Sequence, residues 1–330
     1  MMYVPVEDEK PEGEVPCSPQ SPHSIRFTGQ MPENSFPSLE YDLASKKWRI
    51  LIFWTLVILD SFAIPIILYF VLNYSTTLNK KQVYYIISFT LFGTLMLEYA
   101  QRAWRLWMKN STCRVVNTKR LDVCFPIEVL QICSNYFQFD WLHWNLTLVL
   151  GVVVVEVGIA TSLNEPLVRL LAMPLPSVFF TFGLEMLLVE LMRSFHIRAR
   201  FRVSSVPKGG MLRPALYTLI EDVVAVDGNG GTEYRERLNT RYETSPEFRR
   251  LMNNLTYFWM VPALLFDVAV SHLIFWRGIN EDTAYVIGWS LPFAWASFWT
   301  IMTIYWVRIA LDEEKQNWGK EGSQLIHSSI

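Results

Sequence analysis

Four carboxylic acids lie inside long apolar stretches of this chain, where ionised side chains are costly. They are Asp60, Glu156, Glu185 and Asp267. An unpaired charge at the centre of a bilayer costs at least about 2.5–3.5 kcal/mol, and the same stretches hold no lysine or arginine to pair with the acids. We therefore expect the four side chains to face the interior of a helical bundle and to be mostly protonated.

A protonated carboxyl held in a dry cavity can act as a general acid or as one step of a proton relay. We predict Asp60, Glu185 and Asp267 as catalytic acids and Glu156 as a residue that lines the substrate site. A plainer alternative stays open, in which each acid only makes a hydrogen bond to a neighbouring helix.

Aromatic and imidazole side chains are the other candidates for chemistry. Trp295 and Trp299 are four residues apart, on one face of an apolar stretch, and their ring faces could stabilise a cationic intermediate of an apolar substrate. His272 follows Asp267 by five residues, and we predict it to be a polar residue of the substrate lining. The alternative for the two tryptophans is ordinary helix packing.

Metal and haem sites are not predicted. The four cysteines form no CxxC pair and no cluster with histidine, so neither a zinc site nor a disulfide framework is indicated. A haem would need paired histidines that face one cavity, and the few histidines near apolar stretches are not so placed. The sequence thus predicts no cofactor.

Six apolar runs would position these residues. They span about 50–72, 82–101, 142–162, 173–192, 255–276 and 284–311. Each is close to the ~20 residues that a helix needs to cross a bilayer. Pro65, Pro262 and Pro292 fall inside three of the runs, where membrane helices tolerate proline. A further apolar run at 123–133 is too short to cross, so we interpret it as an interfacial or re-entrant piece.

The basic residues indicate the orientation of these spans. If the N-terminal tail is cytoplasmic, only Lys80, Lys81, Arg169 and Arg277 fall on the far side, and the other 25 of the 29 lysines and arginines fall on the cytoplasmic side. This distribution follows the positive-inside rule. The predicted fold is an all-α, polytopic membrane bundle of six helices with both termini in the cytoplasm.

The chain divides into five segments on this interpretation. Residues 1–46 hold seven prolines and are predicted to be a disordered tail. Residues 47–192 carry the first four spans, 193–254 a cytoplasmic amphipathic helical loop, 255–311 the last two spans and 312–330 a cytoplasmic tail. In the loop, one helix is predicted from Pro214 to Asp227, and Ser245 followed by Pro246 is a typical start for a helix that continues into span five.

Charge also suggests partners. The net charge of −2 gives no broad positive field, so no nucleic acid partner is predicted. Four arginines cluster just after the fourth span, and they are candidates for binding anionic lipid headgroups. They are Arg193, Arg198, Arg200 and Arg202. Alternatively, they only set the topology.

Two functional classes fit these features, and a third is plainer. A membrane-embedded enzyme could protonate an apolar small molecule and stabilise the resulting cation, as in terpenoid cyclisation. A proton-coupled transporter or channel could use the same acids as a relay, although the chain has no convincing internal repeat and no glycine-broken half-helices. A non-catalytic scaffold could hold pathway enzymes through the cytoplasmic loop.

Several stretches resemble a group of fungal multi-pass membrane proteins, and the resemblance covers about residues 38–311. The stretches are SLEYDLASKKWRILIFWTLVILD, TCRVVNTKR, RFRVSSVPKGG, LRPALYTLIEDVVAVDGNGGTEYRERLNTRYETSPEFRRL and GWSLPFAWASFWTI. Some similar proteins occur with secondary-metabolite pathways, including indole-diterpene pathways in which small membrane cyclases act. The resemblance therefore implies a role in fungal terpenoid biosynthesis on the endoplasmic reticulum or another endomembrane, and it assigns no catalytic residue.

Overall fold

The computed structural model describes residues 58–108 and 139–328, with side chains to Trp318, and five isolated positions before them. Those positions are Leu39, Trp48, Ile52, Thr55 and Leu56. Within this part the chain forms nine α-helices. They are α1 (Ile64–Ser75), α2 (Lys80–Trp107), α3 (Trp141–Ser162), α4 (Val168–Leu171), α5 (Pro174–Ser194), α6 (Ala215–Asp222), α7 (Gly231–Thr244), α8 (Pro246–Phe275) and α9 (Glu281–Ser328).

Four of these helices are long and apolar enough to cross a membrane. They are α2, α3, α5 and α8, and α1 is a shorter apolar helix. The all-helical architecture is thus confirmed for the described residues, and four of their helices have the length and composition of membrane spans. The count of six spans stays a prediction. The tail at 1–46, apart from Leu39, and the short apolar run at 123–133 lie outside the described residues.

The helix starts follow local sequence signals. The side chain of Asp140 accepts a hydrogen bond from the His143 amide at 2.9 Å and begins α3. Ser245 accepts one from the Phe248 amide at 3.1 Å, and Pro246 occupies the first turn of α8. The predicted start of this helix is therefore confirmed, and α8 runs without a break from the polar segment into the fifth apolar run.

A π-helical turn, Leu59–Ala63, precedes α1 and contains Asp60. Pro65 has no amide hydrogen, so the helix cannot keep its regular hydrogen bonds in the preceding turn. The amide of Ile64 instead bonds to the carbonyl of Leu59, which is the wider π spacing. Such insertions are frequent at functional sites, and this one contains a predicted acid.

One end of the bundle is held by close packing around α4. Trp289 donates from its indole nitrogen to the carbonyl of Leu171 at 3.2 Å. At Gly288 an added Cβ would stand 1.9 Å from the carbonyl oxygen of Ala172, so α9 reaches α4 at a position that admits only hydrogen. Arg169 donates to the carbonyls of Ile274, in the last turn of α8, and of Trp276 and Ile279, which follow that helix.

The opposite end carries the α6–α7 unit, which consists of α6, the π-helical turn Val223–Asp227 and α7. Its apolar side chains share a buried cluster with α5, α8 and α9. The carboxylate of Glu190 accepts from the Arg193 guanidinium at 2.5 Å and from the Ala215 amide at 3.4 Å. The unit is therefore fixed directly to the end of α5.

The last helix is longer than the sequence predicts. The sixth apolar run ends near 311 and a tail follows it, but α9 continues to Ser328. Glu314 explains the first turns of the extension, because it is 2% exposed and accepts bonds from Arg241 and from the Ser245 hydroxyl at 2.7 Å. The segment after 311 is thus an anchor for the α6–α7 unit.

Candidate functional site

Asp267 is the most deeply buried of the predicted acids. It lies on α8, is 1% exposed, and has no hydrogen-bond partner for either carboxyl oxygen among the described residues. A structural acid in an apolar bundle is expected to bond to a neighbouring helix, because an unsatisfied buried polar group costs about 1–3 kcal/mol. Asp267 does not fit that plainer interpretation.

Glu156 is bonded at one oxygen and lies beside a groove. The hydroxyl of Ser177 on α5 donates to its Oε1 at 2.9 Å, while Oε2 has no partner in the described part of the chain. An open groove of about 810 Å³ runs along α3 and includes Glu156 in its wall. Its other lining residues are almost all apolar, and they are Trp144, Thr147, Leu148, Gly151, Val152, Val155, Ile159 and Leu170.

Glu185 and Asp60 occupy separate positions. Glu185 is half-buried on α5, and its Oε2 lacks a partner among the described residues. Asp60 lies in the π-helical turn before α1. Within residues 58–108 and 139–328, no hydrogen bond or ion pair joins the four predicted acids to one another. The acids therefore do not form a single dyad.

Trp295 and Trp299 belong to a stack of rings between α8 and α9. The two indoles are parallel at 5.5 Å, and Trp295 also stacks on Phe266 at 4.9 Å. Trp299 stacks on Phe258 at 4.7 Å and donates its indole hydrogen to the Phe258 carbonyl at 2.8 Å. Neighbouring rings thus cover much of the aromatic surface with which Trp295 and Trp299 were predicted to stabilise a cation.

His272 lies on the outer surface of α8 and is exposed. It is five residues from Asp267, which is about 1.4 helical turns, so the two side chains do not project from the same face of α8. Together with the ring stack, its position leaves Glu156 as the predicted lining residue that borders a groove.

Sequence reasoning missed a buried ionic cluster below the bundle. Arg235 of α7 donates to Glu221 at 2.7 Å and to Asp222 at 2.6 Å. Arg102 of α2 donates to Asp140 at 2.6 Å and also pairs with Asp227. These contacts join α2, the start of α3 and the α6–α7 unit through side chains that are almost all buried.

The cluster holds more carboxyls than its two arginines can neutralise. Burial raises the pKa of Asp222 to about 6, with the nearby Asp140 adding to the shift and Arg235 opposing it. Burial likewise raises the pKa of Asp140 and of Glu221 against the attraction of their arginine partners. Asp222 is therefore expected to take up a proton as the pH falls through about 6, where an ordinary aspartate is still ionised.

No single signal in the sequence indicates this cluster. Its members come from four segments separated by loops, and each is an ordinary charged residue in its local context. Asp140 alone has a local signature, since it precedes an apolar run as a helix cap. A search of residues 58–108 and 139–328 for groups of histidine, cysteine and acid that could hold a metal ion finds none.

Comparison with known proteins gives one result. No curated protein and no solved structure matches the chain. A family model described as a domain of unknown function, DUF8766, matches residues 28–318, which include all the predicted spans and the α6–α7 unit. The chain belongs to this family of domains of unknown function.

Proposed function

We propose that the chain crosses an endomembrane, such as the endoplasmic reticulum, six times and keeps both termini in the cytoplasm. The helical segments Leu59–Ser75 and the first thirty residues of α9 would supply the two crossings beyond α2, α3, α5 and α8. The distribution of basic residues supports this orientation and makes the α6–α7 unit a cytoplasmic cap. Tags at both termini should be digested by protease in sealed microsomes, and protection of either tag would contradict the topology.

We further propose that the protein is a membrane-embedded enzyme of fungal secondary metabolism that protonates an apolar substrate, as a terpene cyclase does. The groove beside Glu156 is the observation that carries this proposal. Its volume falls in the range of small-molecule sites, and its apolar wall suits a substrate that enters sideways from the bilayer.

Glu156 would be the proton donor in this scheme. A neutral carboxyl is the stable form next to lipid, because no lysine or arginine of the described residues forms an ion pair with Glu156. The Ser177 hydroxyl donates to Oε1 and orients the group. Oε2 has no hydrogen-bond partner among the described residues, so a proton on that oxygen is not shared with another side chain of that part of the chain. Asp60, Glu185 and Asp267 stay predicted acids that could resupply the proton.

A deletion strain of the source fungus, complemented with variants, tests the proposal. Wild type should restore an apolar metabolite that the deletion strain lacks, and Glu156→Gln should leave its unprotonated precursor to accumulate. Glu165→Gln is the matched control, since Glu165 is an exposed acid in the connection between α3 and α4. Full restoration by Glu156→Gln, in protein that is expressed and folded, would reject Glu156 as the donor.

Asp267 favours one alternative, which is proton-coupled transport. A buried carboxyl without a partner can take up and release a proton within the membrane. In vesicles that contain the purified protein, a transporter should carry a proton flux that Asp267→Asn abolishes. An enzyme of the proposed kind should show no such flux.

A further inference from the structure

The segment after α5 forms a short hairpin arch, residues 195–211. The Ala199 amide donates to the Gly210 carbonyl at 3.0 Å, and the Gly209 amide donates to the Ala199 carbonyl at 2.8 Å. Val203 and Val206 exchange two backbone hydrogen bonds at the tip. Gly209 has a φ of +84°, which an L side chain rarely adopts, so its glycine permits the turn. The arch is thus an ordered structure.

Buried side chains fix the arch at the level of the membrane edge. The hydroxyl of Ser204 donates to Asp222 at 2.6 Å and accepts from the Trp141 amide at 3.2 Å. Trp141 opens α3 and Phe195 follows the last residue of α5, so the arch lies where two candidate spans end. Its outward side chains must then lie close to the lipid headgroups.

The outward face combines cations with large apolar side chains. Phe195 is 70% exposed and Phe201 is 68% exposed. Arg198, Arg200 and Lys208 are exposed as well, and none of their side chains has a hydrogen bond or ion pair to another described residue. The sequence from 195 to 211 contains no aspartate or glutamate to neutralise them.

The other two arginines of the predicted cluster are engaged inside the protein. Arg193 donates to Glu190 at 2.5 Å and to Asn253 at 2.8 Å. Arg202 donates to the Ser204 carbonyl at 2.8 Å. The four arginines therefore separate into two that stabilise the fold and two that are available to a ligand.

We propose that the hairpin arch binds the headgroups of anionic lipids in the adjacent leaflet. Arg198, Arg200 and Lys208 contact lipid phosphates and carboxylates, and Phe195 and Phe201 insert between the headgroups as interfacial anchors. The inference rests on the membrane setting of the chain and does not depend on the proposed chemistry. Each cation near an anionic surface strengthens binding by about fivefold.

Lipid selectivity of the full chain tests the proposal. The protein is reconstituted in phosphatidylcholine vesicles, and the immobilised fraction of spin-labelled phosphatidylserine is compared with that of spin-labelled phosphatidylcholine. Wild type should prefer phosphatidylserine, and Arg198→Gln with Arg200→Gln should lower this preference at least about fivefold. Monovalent salt should weaken the wild-type preference as screening increases.

A charge-matched variant separates the arch from the overall charge. Arg237→Gln with Lys315→Gln removes two cations from the same side of the membrane but away from the arch, and it should keep the wild-type preference. Equal losses in the two double variants, or none in the arch variant, would overturn the proposal. Loss of the preference on exchanging chloride for inorganic phosphate at equal ionic strength would also overturn it, because it would indicate a site for free phosphate. Thermal unfolding in detergent verifies that each variant is folded.

Discussion

The hydroxyl of Ser177 on α5 lies 2.9 Å from Oε1 of Glu156 on α3 and donates a hydrogen bond to it. The bond joins two candidate spans at the groove along α3. Because Oε2 of Glu156 has no partner in the described chain, Ser177 fixes the carboxyl through one oxygen only. Ser177 is therefore a positioning residue in the proposed reaction.

Ser177→Ala should reduce product formation less than Glu156→Gln does. A hydrogen bond between membrane helices is worth about 0.6 kcal/mol on average, so we expect roughly a threefold loss of activity from Ser177→Ala and loss of activity from Glu156→Gln. Product from the complemented deletion strain measures both. Ser177→Thr keeps the hydroxyl and should restore most of the activity. If Ser177→Ala and Ser177→Thr reduce product formation equally, loss of the hydroxyl is not the cause of the reduction.

Asp267→Asn should leave the fold intact while it removes a titratable proton. Both carboxyl oxygens of Asp267 lack partners among the described residues, so the amide loses no hydrogen bond that the structure records. The free energy of unfolding, measured by thermal unfolding in detergent, should change by less than about 1 kcal/mol. Infrared difference spectra should show a protonated carboxylic acid band in wild type that is missing in the variant. A strong destabilisation would mean that Asp267 has a structural role.

Hydropathy was sufficient to predict the all-helical architecture and the long apolar helices α2, α3, α5 and α8, because each residue of such a helix contributes to the hydropathy pattern. The start of α8 could also be predicted, since Ser245 and Pro246 act locally. The ionic cluster of Arg102, Asp140 and Arg235 could not be predicted. Its members are far apart in the sequence, and they come into contact only when the chain is folded.

The same reason limits prediction of the site. Apolar surroundings identify Asp267 and Glu156 as unusual, but a sequence does not show which oxygen finds a partner. The pairing of Glu156 with Ser177 depends on how α3 packs against α5. Trp295 and Trp299 were correctly expected to share a face. The rings that cover them come from α8, about thirty to forty residues earlier in the sequence, so the sequence did not indicate them.

Gly288→Ala should destabilise the bundle where α9 meets α4. The added Cβ would stand 1.9 Å from the Ala172 carbonyl oxygen, so the two backbones must separate. Overpacking of this kind costs roughly 1–3 kcal/mol. Thermal unfolding in detergent measures the effect. Gly158→Ala on α3 is the control, because nothing lies within 4 Å of its added Cβ. Equal stability of the two variants would contradict the close approach of α9 to α4.

Glu314→Gln should release α9 from the α6–α7 unit. Glu314 is 2% exposed and accepts from Arg241 and Ser245, so the substitution removes the negative charge that Glu314 places against the buried Arg241 guanidinium. Breaking a buried ion pair costs about 3–5 kcal/mol. Limited proteolysis should then cleave α9 after Leu311 faster than in wild type. Glu313→Gln changes an exposed neighbour and should behave as wild type. Unchanged cleavage of Glu314→Gln would refute the anchor.

The ionic cluster should make the α6–α7 unit more stable as the pH falls from about 7 to 5. Burial raises the pKa of Asp222 to about 6 from an ordinary value of 3.8, so the folded state holds a proton that the unfolded chain has lost. Stability from such a group is complete below the unfolded pKa and is lost as the pH rises through the folded pKa. Asp140 and Glu221 shift in the same direction and add to the effect.

Amide hydrogen exchange of residues 215–227 in detergent measures this dependence, once rates are corrected for the intrinsic effect of pH. Protection should increase toward pH 5 by an amount on the order of 1–3 kcal/mol in wild type. Asp222→Asn should flatten the profile, because the side chain no longer titrates. Asp312→Asn, at an exposed position of α9, should keep the wild-type slope. If the slopes of Asp222→Asn and wild type coincide, Asp222 does not hold the proton, and the extra carboxyls of the cluster must be neutralised in another way.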